Sequence, residues 1–61
     1  MINISVLAKI IAFKFGYTEA AARAVAEDML RDDFPKNGIT TMSGAIVFLD
    51  YVKSLTRPME A

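Results

Sequence analysis

Any acid–base or nucleophilic chemistry in this chain would have to come from carboxylates, lysines and two tyrosines, because it contains no His and no Cys. A general acid or base must be poised near neutral pH, and carboxylates or lysines reach that range only through burial and neighbouring charge. A hydroxyl nucleophile has no histidine to take its proton. The three glycines are scattered and form no phosphate-cradling loop. Without His and Cys there is also no ligand set for zinc or haem, and no disulfide. With 61 residues the body is too small to enclose a substrate. The expectation is a non-enzymatic protein with no catalytic, cofactor-binding or metal-binding residues, and no cofactor.

What remains is charge placed where it costs something. Glu27, Asp28, Asp32 and Asp33 gather near the end of an alanine-rich stretch that reads as a helix. The C-terminal end of a helix carries partial negative charge, so acids there are disfavoured, and Asp28 and Asp32 repel each other at a spacing of four. Sequences break local rules most often at functional or strained sites. With Phe34 beside them before Pro35, Asp28, Asp32 and Asp33 are the candidate docking site for a protein partner, the aromatic as anchor and the acids for orientation. The alternative is a solvated acidic surface softened by Arg31 and Lys36.

Three helical segments would position these groups. The first spans about residues 4–15, with Asn3 or Ser5 as N-cap and Gly16 as stop. At 100° per residue it carries two apolar stripes: Ile4, Leu7, Ala8, Ile11 and Phe15 on one side, Val6, Ile10, Phe13 and Tyr17 on the other. One neighbour needs only one stripe, so this helix is expected to be sandwiched between two helices of its own chain, or between its own chain and a partner. Val6, Ile10, Phe13 and Tyr17 are the candidate self-association surface. A competing reading takes Ile2, Ile4 and Val6, alternating with Asn3 and Ser5, as a short strand.

The second segment spans about residues 18–33, capped by Thr18 and rich in alanine, with Phe34–Pro35 expected to end it. Ala21, Ala22, Val25, Ala26, Met29 and Leu30 form its inward face. Glu19, Arg23, Glu27 and Arg31 form an outward ladder at spacings of four. Pro35, Asn37 and Gly38 mark a turn, after which Thr40 or Thr41 caps a third helix over about residues 41–55. Its inward residues are Met42, Ala45, Ile46, Phe48, Leu49, Val52 and Leu55, with Val47 and Tyr51 on the border. That arc is the widest of the three, so this helix is expected to be the most buried. Arg57 to Ala61 read as a frayed tail.

The fold class expected is therefore all-α: a compact three-helix bundle in a single domain, completed by homo-oligomerisation. The last clause rests on size. The chain is 54% hydrophobic, and a domain this short buries only about 60% of the surface its unfolded chain exposes. Some of the apolar remainder is expected to meet another chain, as a homodimer or higher homo-oligomer and as a surface for a different protein. Seven Lys plus Arg balance seven Asp plus Glu, so no global field draws the chain to nucleic acid or to an anionic membrane. No apolar run approaches the ~20 residues of a membrane span, and Lys9 and Lys14 sit inside the apolar N-terminal stretch, unlike a signal peptide. A cytoplasmic location is expected.

Around the first turn the chain is similar to helix-turn-helix modules, including those of phage small-terminase subunits: Ala12 and Gly16 stand four apart, Val25 follows nine later, and FGYTEAAARAVAEDML resembles the turn and second helix. That resemblance implies DNA binding and makes a helix-turn-helix regulator the runner-up function, with Lys9, Lys14, Arg23 and Arg31 as its cations. The outward positions of the would-be recognition helix are nevertheless Glu19, Ala20, Arg23, Ala24 and Glu27, a poor reader of bases. IIAFKFGYTEAAARAVAEDML also resembles ribbon-helix-helix repressors, with Ile2 to Val6 as the ribbon, although too few residues separate Asn3 from Gly16 and the ribbon lacks basic side chains. Phe15-Gly16-Tyr17 is similar to the aromatic-flanked glycine loop of ubiquitin-associated domains, but the loop before the third helix is too long. None of these likenesses spans enough of the chain to name a family. The function expected is an accessory regulator or inhibitor that docks on a larger protein, of the kind phages and mobile elements encode. A weaker alternative is an oligomer that sequesters a small molecule between subunits with its tyrosines and arginines.

Overall fold

The computed structural model describes residues 2–56. Its elements are α1 (Ile4–Phe15), α2 (Glu19–Asp28), a π-helical turn (Met29–Asp33), α3 (Phe34–Asn37) and α4 (Met42–Thr56), and no strand occurs among the described residues. The protein is all-α, with three helical rods, because α2, the π turn and α3 run on without a break. The tail expected over Arg57 to Ala61 lies outside the described residues.

Local chemistry sets the ends of the rods. The Asn3 side chain accepts from the backbone N–H groups of Ser5 and Val6 at 2.9 and 3.2 Å, which removes two of the orphan donors of a helix start. That cap commits Ile4 to Val6 to helix, and the competing strand does not form. At the other end Gly16 takes φ 72° and its N–H donates to the Ala12 carbonyl at 2.9 Å, a left-handed stop open to glycine at little cost. Thr18 and Thr41 cap α2 and α4, their hydroxyls accepting from Ala21 N–H at 3.2 Å and Gly44 N–H at 3.1 Å.

Proline does not end the second rod where the sequence suggests. A helical proline lacks an N–H and its ring presses on the preceding turn. Here the turn ahead of it is wide: Phe34 N–H reaches back five residues to the Met29 carbonyl, and Pro35 then stands in the first turn of α3, where its missing donor matters least. The rod stops at Gly38 (φ 68°), whose N–H donates to Pro35 O at 3.3 Å while Ile39 N–H donates to Phe34 O at 2.9 Å. Those paired bonds satisfy carbonyls left over at the helix end.

The core consists of Leu7, Ala8, Ile11, Ala22, Ala26, Met29, Phe34, Ala45 and Leu49. Small Ala22 and Ala26 let α1 approach α2 closely, and this is the main helix pairing of the molecule. Helix α1 also meets α4, so it lies between two helices of its own chain. On α2, Ala21 is exposed, one residue outside the inward face expected for it. The largest correction concerns α4. Among its described side chains only Ala45 and Leu49 are buried, Leu55 is exposed instead of inward, and Val47 and Tyr51 are exposed too. A wide apolar arc needs neighbours on several sides, and α4 has α1 on one flank and the Phe34 ring on another, where Phe34 and Phe48 meet edge to face at 5.6 Å.

Candidate functional site

The acidic turn comes first. Asp28 and Asp32 are exposed and Asp33 is half-buried. Asp28 is engaged by Arg31 one turn later, and the Asp33 carbonyl accepts from the Asn37 side-chain amide at 2.7 Å. Phe34, expected to project beside them, is 1% exposed. The continuing rod turns its ring inward onto Phe48, so the anchor assigned to this docking site belongs to the core. The acids stand without it, and among the described residues no three acidic side chains converge as a metal site.

The outward ladder is also rearranged. Arg23 Nε lies 3.7 Å from a Glu27 carboxylate oxygen, both side chains more than half exposed, whereas Arg31 turns to Asp28. Such surface pairs contribute about 0–1 kcal/mol each. Between α1 and the start of α2, Ser5, Ala8, Lys9, Glu19 and Arg23 line a small polar cleft of about 180 Å³. Its carboxylate sits among the cations, so the cleft presents no uniform charge to an ion.

The apolar surface is more informative. On α1, Phe13 is 89% exposed, Val6 and Tyr17 are close to half exposed, and Ile10 is half-buried against the core. The Tyr17 ring stacks on Phe15 at 5.7 Å, which holds it flat on the α1 end of the turn. Three of the four residues expected to self-associate are thus uncovered, and Ile10 bridges them to the interior. On α4 a second stripe runs at spacings of four: Val47, Tyr51 and Leu55, each between 60 and 67% exposed. Val47 and Tyr51 border a wide, shallow groove of about 570 Å³ completed by Asn37, Ile39, Ser43, Gly44 and Phe48. Sequence reasoning missed this groove. Its signal was present in the four-residue spacing of Val47, Tyr51 and Leu55, but assigning Leu55 inward hid it.

Lys14 of α1 forms an ion pair with Asp50 of α4, spanning the seam between the two helices. On a helix surface, residues three and four apart are neighbours. Ile10 is therefore a neighbour of Lys14 along α1, and Val47 of Asp50 along α4.

No family model matches the chain, and no similar protein emerges among curated proteins or solved structures. No helix among the described residues is long and apolar enough to cross a membrane.

Proposed function

We propose that this protein is a small non-enzymatic binding module that self-associates and works as an accessory regulator or inhibitor by docking on a larger protein in the cytoplasm. The observation carrying this reading is the exposure of large apolar residues, above all Phe13, Val47, Tyr51 and Leu55, while the buried side chains among the described residues are all apolar. Contiguous apolar surface of this kind marks protein–protein sites more often than catalytic ones. Self-association uses the stripe of Val6, Phe13 and Tyr17, with Ile10 behind it. The acids Asp28, Asp32 and Asp33 orient a basic partner, now without an aromatic anchor of their own. The cleft gathers Lys9, Glu19 and Arg23, all exposed to solvent, and the groove is lined mainly by apolar and small side chains.

Sedimentation of the full chain at micromolar concentration tests the first half: a dimer or larger species is expected, and a stable monomer sinks it. Duplex DNA titrated near physiological salt tests the alternative. The face of α2 that a helix-turn-helix protein would present alternates Glu19, Arg23 and Glu27, so no measurable binding is expected. Sub-micromolar, salt-dependent binding to a specific duplex would put the DNA-binding reading first.

A further inference from the structure

We draw no further inference here: the strongest candidate, the wide apolar groove along α4 between Ile39, Val47, Phe48 and Tyr51, carries none because nothing in the structure shows what covers it.

Discussion

Helices α1 and α4 are both rich in apolar residues and each keeps a second apolar stripe in solvent, yet α1 seals Leu7, Ala8 and Ile11 between α2 and α4 while α4 seals Ala45 and Leu49. The difference lies in the neighbours. Helix α1 is tied to α2 by a three-residue link through Gly16 and meets a face of small alanines, so the backbones come close and Leu7 and Ile11 are sealed completely. Helix α4 follows a longer link after Gly38, and its contact is made by larger side chains, Leu49 against the core and Phe48 against Phe34. Apolar content prepares a helix for burial, and a close, small-residue neighbour decides whether burial occurs.

The strongest way to break this comparison is to truncate the same residue type on each helix. Leu7→Ala, at a position with no exposure, is expected to lower unfolding free energy by about 2–5 kcal/mol. Leu55→Ala should change it by no more than about 0.5 kcal/mol when measured in dilute protein, below the range of self-association. Equal losses in chemical denaturation would mean that α4 is as well packed as α1.

A smaller effect isolates the link. Gly16 has φ 72° and nothing within 4 Å of a Cβ built on it, so Gly16→Ala carries a conformational cost alone, about 1–2 kcal/mol. Gly16→Asn should cost less, because asparagine tolerates the left-handed region. If both variants destabilise equally, crowding and not backbone conformation governs the turn. Native-state hydrogen exchange then sharpens the contrast, with α4 amides expected to open at lower free energy than those of α1.

The features legible in the sequence are those controlled by local hydrogen bonds. Asn3, Gly16, Thr18 and Thr41 each act within a few residues of their own position, so their roles could be read from spacing. Two features do not follow from such patterns. Pro35 reads as a stop because a proline disrupts α-helical register, but one wide turn from Met29 to Asp33 accommodates it. With the rod extended, Phe34 swings to Phe48, a partner fourteen residues on that no local pattern reveals. The same limit hid the groove. The stripe of Val47, Tyr51 and Leu55 could be seen as apolar, but its exposure depends on where α1 and Phe34 finish.

The acidic turn gives the smallest expected effect and the finest test of that reading. If the second rod ended at Asp33, Asp32 and Asp33 would stand against the negative end of its dipole, and Asp32→Asn with Asp33→Asn would stabilise the fold by several tenths of a kcal/mol to ~1 kcal/mol each. The rod in fact ends at Asn37, with Lys36 in its last turn and Asp32 and Asp33 a full turn earlier. Dipole effects fade within that distance, so the double substitution should shift unfolding free energy by less than about 0.5 kcal/mol. Its effect on a basic partner would be separate, a slower and less salt-sensitive association. A stabilisation near 1 kcal/mol or more in thermal unfolding would restore a helix end at Asp33, and affinity unchanged at low salt would reduce the acids to solvated surface.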